Sequence, residues 1–225
     1  SMLQDAVALC ASDIIADLRR AVFYKSFSIT SIHGSSSLDW CNELAGTSNE
    51  TFVHSIDTAY AVMKFCYVLE MSPYEVSMAT VSAMLHDIGK LYIPSWILHK
   101  PSRLDEIEFK SIQKHPTLGM LLLKSWKMPE QIVRVAAEHH ERWDGSGYPN
   151  GLREYAISTP ARIVSLCDAI NAMMMRRSYK GDTTSQIIRA EVTRCSGGQF
   201  DPELATILLN HWETIYSKPV TNLII

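Results

Sequence analysis

A series of histidine and aspartate residues in the middle of the chain sets the strongest constraint on how it can fold. Six of the eight histidines lie between positions 54 and 140, and five of them, all except His99, are candidate ligands. Two of the five, His86 and His139, are followed directly by another candidate ligand. Asp168 lies inside an otherwise apolar segment, where an unpaired carboxylate would be costly. Packing alone does not explain this density. The fold must therefore bring residues that are distant in sequence to one place.

The residue types indicate a centre with more than one metal ion. Imidazole and carboxylate together suit iron, manganese, zinc or nickel better than calcium or magnesium, which prefer oxygen ligands. One structural zinc takes about four ligands, whereas this series is longer and contains no thiolate. Seven ligands would fill two ions that share a carboxylate, and an eighth would suit a third ion. The candidate metal ligands are His54, His86, Asp87, His115, His139, His140 and Asp168, with Glu50 as the eighth.

Helical spacing explains how neighbouring members of the series can act together. Glu50 and His54 are four residues apart, so both would lie on one face of a helix. His86 and Asp87 are adjacent and would diverge by about 100 degrees on a helix, which favours an Asp87 carboxylate that bridges two metals. Glu50 could also be a solvated acid at a helix start, and His115 an exposed ring at another. Surface or packing roles are predicted for the histidines without a partner at ligand spacing, namely His33, His99 and His211.

Composition excludes several other classes of protein. The chain has 225 residues, enough for one large domain or one domain with an extra helical segment. Its five cysteines form no C-x-x-C pair, which argues against a disulfide framework or a zinc ribbon and favours a reducing cytoplasm. A net charge of -3 argues against a duplex-binding face but leaves room for a small anionic ligand. No apolar run approaches the roughly 20 residues of a membrane span, so we expect no membrane segment.

The hydrophobic pattern predicts an all-α fold. Residues 3–24 show the period of an amphipathic helix, which could connect or dimerise the chain, or could pack on its own core. Residues 1–40 are predicted to be a separate N-terminal helical and linker segment, and residues 41–225 the domain that carries the ligand series. A homodimer and an upstream sensor domain are both compatible with this division. Further helices are predicted over about 50–70, 74–87, 104–113, 116–126, 129–141, 158–176, 183–194 and 201–213, with loops at 94–103 and 144–153.

In order, these motifs resemble the HD-GYP family of the HD superfamily of metal-dependent phosphohydrolases. The matching strings are His86-Asp87-Ile88-Gly89-Lys90, His115-Pro116 with Gly119, HHERWDGSGYPNGL over 139–152, Asp168 followed by Arg177 and Lys180, and Gln199-Phe200-Asp201-Pro202. The resemblance implies a bacterial, cytoplasmic, helical HD-type bundle with two or three iron or manganese ions. It also implies hydrolysis of cyclic di-GMP to pGpG, GMP or both.

The resemblance assigns roles to individual residues. Glu50 matches the carboxylate of members with three metals, and Lys90 the lysine near the scissile phosphate. Arg177 and Lys180 match cations that hold the nucleotide, and Tyr148 could hydrogen-bond or stack on it. The sequence departs from the family at Asn171, where a second aspartate is usual, and at Ser178, where a proline is common. Neither position is a predicted ligand, so we expect activity to survive.

The predicted mechanism is attack on phosphorus by a metal-bridging hydroxide, with Lys90 neutralising charge on the phosphate oxygens. Several alternatives remain open at this point. The substrate could be cyclic GMP-AMP, because the sequence does not specify the base pocket. The domain could also be a receptor that binds a cyclic dinucleotide without hydrolysing it. The Gly147-Tyr148-Pro149 turn argues against another HD-superfamily enzyme, such as a nucleotidase or a di-iron oxygenase.

Overall fold

The computed structural model describes the backbone of residues 49–175 and 181–216 and the side chains of 51–175 and 185–216. Ten α-helices lie in these ranges. They are α1 (Asn49–Val68), α2 (Pro73–Leu85), α3 (Ser95–Leu98), α4 (Glu106–Ile112), α5 (His115–Ser125), α6 (Glu130–Glu138), α7 (Thr159–Met175), α8 (Gly181–Cys195), α9 (Pro202–Asn210) and α10 (Trp212–Tyr216). Two 3-10 helices, Ile88–Tyr92 and Glu154–Ala156, lie between them. The predicted helix over 3–24 lies outside the described residues.

The all-α prediction is confirmed. Within the described residues there is no strand, and only an isolated bridge joins Ser196 to Phe200. No described helix is both long and apolar enough to cross a membrane. Each of the eight helices predicted from residue 50 onward has a counterpart in the structure, with ends displaced by one to three residues.

Two predictions about local structure were wrong. The loop predicted over 94–103 contains the one-turn helix α3, because the exposed His99 ring hydrogen-bonds back to the Ser95 carbonyl oxygen at 2.9 Å. The helix predicted over 201–213 divides at His211, whose backbone N–H is shared between the carbonyls of Ile207 and Leu208. That shared bond tightens the last turn of α9 before α10 begins.

Local capping explains where the helices near the ligand series begin. Ser72 and Glu75 form a reciprocal capping box at the start of α2, with Pro73 in the first turn. Asp201 accepts the backbone N–H of Glu203 at 2.9 Å and so caps α9. These side chains satisfy backbone donors that the first helical turn leaves without partners.

A central group of helices carries the core and the ligand series together. Helix α1 packs along α2 and α7, while α6 packs on α2 and α5. Fully buried side chains fill the space between them, among them Phe65, Leu85, Ile88, Leu123 and Leu166. The 3-10 helix after α2 approaches α5 so closely that a Cβ on Gly89 would lie 2.0 Å from the His115 carbonyl oxygen. Only glycine fits this contact, which sets His86 and Asp87 against His115.

Candidate metal centre

Five helices bring the predicted ligands together. His54 comes from α1 and Asp168 from α7, and their side chains meet with His54 Nε2 2.6 Å from Asp168 Oδ1. His86 and Asp87 follow the end of α2, His115 opens α5, and His139 and His140 follow the end of α6. The helices predicted over 74–87 and 129–141 thus end at Leu85 and Glu138, before these ligand pairs.

The carboxylate of Asp87 lies at the middle of the cluster. Its Oδ2 is 3.3 Å from His86 Nε2, and its Oδ1 is 3.2 Å from His115 Nε2 and 3.8 Å from His139 Nε2. Two sets of ligand atoms are therefore compact enough to hold an ion, with all atoms of a set within 4.8 Å of one another. One set contains His54, His86 and Asp87, and the other contains Asp87, His115, His139 and His140. Asp87 belongs to both.

Asp168 joins the first set from the opposite side. Its Oδ1 contacts His54 and also lies 3.7 Å from His86 Nε2. The His54 and His86 rings stand edge to face with centroids 5.8 Å apart. The structure thus brings together all seven ligand candidates whose side chains it describes. Glu50 is the second residue of α1, and its side chain lies outside the described range, as do Arg177 and Lys180.

Backbone carbonyls fix the orientation of three rings. The Nδ1 atoms of His86, His115 and His139 lie 2.6 Å, 2.7 Å and 3.0 Å from the carbonyl oxygens of Ala83, Ile112 and Ala136. Since a carbonyl can only accept, each Nδ1 carries the proton and donates. Each Nε2 then faces the centre, where it can ligate a metal ion once it carries no proton, which is the arrangement that metal-ligating histidines use.

The buried polar atoms of the cluster fit divalent metal ions. His86 Nε2 and Asp87 Oδ1 are buried and form no hydrogen bond within the described part of the chain. A buried polar atom without a partner destabilises a protein by about 1–3 kcal/mol. Metal coordination would satisfy these atoms, and the imidazole and carboxylate donors suit iron, manganese or zinc. The cluster can therefore hold metal ions, although the donors alone do not identify the metal.

Mutual contacts shift the titration of the cluster strongly. Burial alone would raise the pKa of Asp87, but the charges of Lys90 and His86 lower it well below its usual value. Burial is likewise outweighed at Asp168, where the hydrogen bond with His54 and the nearby His86 ring hold the pKa well below normal. Burial would lower the pKa of His86, but Asp87 and Asp168 raise it to about 10. Both carboxylates thus stay ionised.

Burial keeps the rings of His139 and His140 neutral. It is the largest cause that lowers the pKa of His139 well below its usual value, and it lowers that of His140 to about 4, with nearby histidines adding to both shifts. Neutral imidazoles are the form that binds metal. These two histidines of the second set are therefore ready to bind at neutral pH.

Two predicted substrate contacts lie beside the cluster. Lys90 Nζ is 2.5 Å from Asp87 Oδ2, and its side chain is 26 % exposed, so the ammonium is both anchored and accessible. The ring of Tyr148 stacks on that of His140, with centroids 4.9 Å apart and planes 29° from parallel. Burial, followed by the charges of Asp87 and Asp168, raises the pKa of the Tyr148 phenol, which stays protonated.

Glu141 is a functional candidate that sequence reasoning missed. Its ordinary interpretation was an exposed acid, but only 2 % of the residue is exposed. The carboxylate accepts backbone N–H groups from Asn150 at 2.7 Å and Leu152 at 3.0 Å. The only sequence signal was its place between the histidine pair and the Gly147-Tyr148-Pro149 turn. His99 and His211 are exposed and lie outside both ligand sets, and His33 lies outside the described residues.

Comparison with known proteins agrees with this arrangement. The model of the HD domain family matches residues 35–204. The chain is 37 % identical over 174 residues to 3'3'-cGAMP-specific phosphodiesterase 2 of Vibrio cholerae, a match that covers 76 % of this chain and 33 % of the relative. It is also 37 % identical over 164 residues to a cyclic di-GMP phosphodiesterase of Thermotoga maritima, covering 71 % of this chain and 44 % of that protein. The chain thus spans less than half the length of these relatives.

Solved structures show the same fold. A HDG"Y"P protein from Bdellovibrio bacteriovorus superposes with a TM-score of 0.60 at 17 % identity, covering 93 % of this chain and 70 % of the other. The PgpH HD domain of L. monocytogenes, solved in complex with cyclic-di-AMP, superposes with a TM-score of 0.57 at 20 % identity, covering 79 % of this chain and 96 % of that one. The chain therefore belongs to the HD domain family, and the HD-GYP resemblance carried by its His86-Asp87 and Gly147-Tyr148-Pro149 motifs is confirmed.

Proposed function

We propose that this domain is a metal-dependent phosphodiesterase that hydrolyses cyclic di-GMP to pGpG, GMP or both. The observation that carries the proposal is the Asp87 carboxylate, whose two oxygens face two different sets of ligand atoms. A shared carboxylate is what two adjacent ions need, and paired ions suit in-line displacement at phosphorus. The names of the relatives support a cyclic dinucleotide as the substrate class.

The protein's own residues would hold and neutralise the phosphodiester. Bound divalent ions would polarise the phosphate oxygens and make the attacking water more acidic. Lys90 adds a fixed positive charge at the edge of the cluster, where it can offset charge that develops on the phosphate. Tyr148 keeps its phenolic proton and can therefore donate a hydrogen bond. We assign nucleotide binding to Arg177 and Lys180 as well, from their place in the family motif.

We propose iron or manganese as the native metal, in two or three equivalents. The His54 set and the His140 set would take one ion each and share Asp87. A third ion would need a further ligand, and Glu50 is the carboxylate one helical turn before His54. Three ions would extend hydrolysis from pGpG to GMP.

The test is a turnover assay with defined metal content. Protein purified without oxygen is loaded with ferrous iron or manganese and incubated with cyclic di-GMP, and products are separated by anion-exchange chromatography. We expect pGpG from two-metal protein and GMP from three-metal protein. Glu50→Ala should lose one metal equivalent and stop at pGpG. Metal-loaded protein that leaves every cyclic dinucleotide intact would refute the enzyme and leave the receptor alternative.

Cyclic GMP-AMP is the second candidate substrate, because a relative at 37 % identity is named as specific for 3'3'-cGAMP. The same phosphate chemistry would serve both molecules. The kcat/KM values for the two dinucleotides, measured on the same metal-loaded preparation, separate the candidates. A larger kcat/KM for cyclic GMP-AMP would make it, and not cyclic di-GMP, the preferred substrate.

A further inference from the structure

We propose that Glu141 is a positioning residue that sets the orientation of the His140 ring by holding the loop that carries Tyr148. This loop, residues 145–152, is called the Tyr148 loop below. The inference rests on the proposed metal centre, because it concerns how one of its ligands is oriented. It assigns to Glu141 a role in metal affinity rather than direct contact with metal or substrate.

His140 is oriented differently from its neighbours. The rings of His86, His115 and His139 are each fixed by a backbone carbonyl at Nδ1. For His140, no hydrogen bond to a ring nitrogen occurs among the described residues, and its ring is held by contacts with other rings. Tyr148 supplies the one near-parallel ring among these contacts, at 29° and 4.9 Å. The plane of His140 thus depends on where Tyr148 lies.

The Tyr148 loop lies directly on the backbone next to His140. The Tyr148 N–H donates to the His140 carbonyl oxygen at 3.2 Å. A Cβ on Gly147 would lie 2.4 Å from the backbone nitrogen of Arg142 and 2.6 Å from the His140 carbonyl oxygen. No side chain fits there, so the loop and the end of α6 are in backbone contact. A shift of the loop would therefore move the Tyr148 ring relative to His140.

Glu141 closes the far side of the same loop. Its buried carboxylate accepts the N–H groups of Asn150 and Leu152, two and four residues after Tyr148. Removing the carboxylate would leave both of these backbone donors without the acceptor that holds them. The loop would then relax toward water, and the Tyr148 ring would lose its defined position against His140.

Glu138 provides a matched control. It is also a buried glutamate near the end of α6, at 6 % exposure, and its carboxylate also accepts a distant backbone N–H, from Ser158 at 2.8 Å. Its partner, however, lies at the start of α7 and not in the Tyr148 loop. Glu138→Ala therefore removes the same kind of interaction from the same helix end without releasing Tyr148.

The experiment measures manganese affinity of the metal-free protein by calorimetric titration, without substrate. Glu141→Ala should weaken one metal equivalent by about 10–100-fold, the usual effect of losing a residue that orients a ligand. Tyr148→Ala should weaken the same equivalent, whereas Tyr148→Phe, which keeps the ring, should bind as the parent does. Glu138→Ala should lower the melting temperature and leave the affinity unchanged. Circular dichroism establishes that each variant is folded.

A double-mutant cycle tests the route through Tyr148. If Glu141 acts by placing Tyr148, then Glu141→Ala combined with Tyr148→Ala should be no weaker than either single variant. Additive losses, or parent affinity in folded Glu141→Ala, would overturn the proposal. Should Glu141→Ala not fold, equal affinities for Tyr148→Ala and Tyr148→Phe would overturn it instead. Because no substrate is present, failure of the proposed phosphodiesterase activity would leave these outcomes unaffected.

Discussion

Helix α7 carries two polar clusters that differ in how far their atoms find partners within the protein. At Asp168 it joins the candidate metal centre, where His86 Nε2 and Asp87 Oδ1 are buried without a hydrogen bond. Nearer its start, Arg162 forms an ion pair with Asp201 and donates to Thr159 Oγ1 at 2.8 Å and to the Ile157 carbonyl oxygen at 3.1 Å. Arg162 and these partners are called the Arg162 cluster below.

The Arg162 cluster is closed and structural. Its guanidinium also lies over the rings of Trp143 and Tyr155, at 5.7 Å and 5.2 Å from their centroids, and Asp201 caps α9. The ion pair with Asp201 and the contacts with the two rings join α7 to other parts of the fold. The metal centre instead directs ring nitrogens and carboxylate oxygens of several residues at one common space. In this molecule the Arg162 side chain has its polar partners within the protein, as expected of a structural ion pair, whereas two buried ligand atoms of the metal centre lack them, as expected of a binding site.

Asp87→Ala should give the largest effect, because it removes the one group common to both ligand sets. We expect metal content to fall to near zero and turnover of cyclic di-GMP to fall to background. Metal analysis of the purified protein and the chromatographic assay check this. Parent activity with unchanged metal content would show that Asp87 is not the shared ligand and would remove the distinction between the two clusters.

Asp201→Ala should have the opposite profile, a loss of stability with the metal centre retained. Breaking a buried ion pair by removing one partner lowers the free energy of unfolding by about 3–5 kcal/mol. Urea denaturation measures that loss. Manganese affinity, measured well below the unfolding transition, should stay within a few-fold of the parent. A large loss of metal affinity would mean that the Arg162 cluster acts on the centre through α7.

The parts of the molecule that sequence predicted are those set by local signals. Helical period predicted α2, whose start the structure fixes with the Ser72 cap. The adjacent His86 and Asp87 predicted a shared carboxylate, an arrangement that the two oxygens of Asp87 match. Helices of a single turn, such as α3 with its hydrogen bond between His99 and Ser95, were not predicted. They are too short to show a helical repeat of apolar residues. The assignments of Glu50, Arg177 and Lys180 stay predictions.

Interactions between distant residues outside the ligand series were beyond sequence reasoning. Arg162 and Asp201 are 39 residues apart, and no spacing rule connects them. Glu141 was overlooked for a related reason: its partners are backbone N–H groups, which every residue but proline has, so side-chain identity gives no signal. Only the folded structure shows which hydrogen-bond and ion-pair partners a side chain has. The Arg162 cluster was therefore not recognised from sequence, whereas the metal centre was.

Glycine substitutions extend the comparison to the backbone. Gly89→Ala would place a Cβ 2.0 Å from the His115 carbonyl oxygen, whereas a Cβ on Gly198, in the turn before Asp201, would meet nothing closer than 3.6 Å. We expect Gly89→Ala to lower the free energy of unfolding by about 1–3 kcal/mol and to weaken metal binding, because His115 must move. Gly198→Ala should change both by much less. Urea denaturation and manganese titration of the two variants decide the matter, and equal effects would contradict it.

The smallest effect that we predict, counted per pH unit, is the change with pH in the free energy of unfolding of the metal-free protein. The pKa of His86 is raised to about 10, so this residue stabilises the fold below its unfolded value of about 6.5 and loses that contribution as pH rises toward 10. The pKa of His140 is lowered to about 4, so stability falls as pH drops from about 6.5 toward 4, where only the unfolded chain takes up the proton. The free energy of unfolding should therefore peak near pH 6.5 and decline by roughly 1 kcal/mol per pH unit above it. Below it the decline should be steeper, because the lowered pKa of His139 adds to the effect of His140. Manganese should abolish the alkaline decline, because a ligated His86 is already neutral in the folded state.

Urea denaturation between pH 5 and 8.5, with and without manganese, measures the decline on the acid side and on the alkaline side. If the free energy of unfolding of the metal-free protein does not decline above pH 6.5, His86 is not protonated beside the two carboxylates. The unpaired atoms of the metal centre would then destabilise the metal-free protein less than their burial implies.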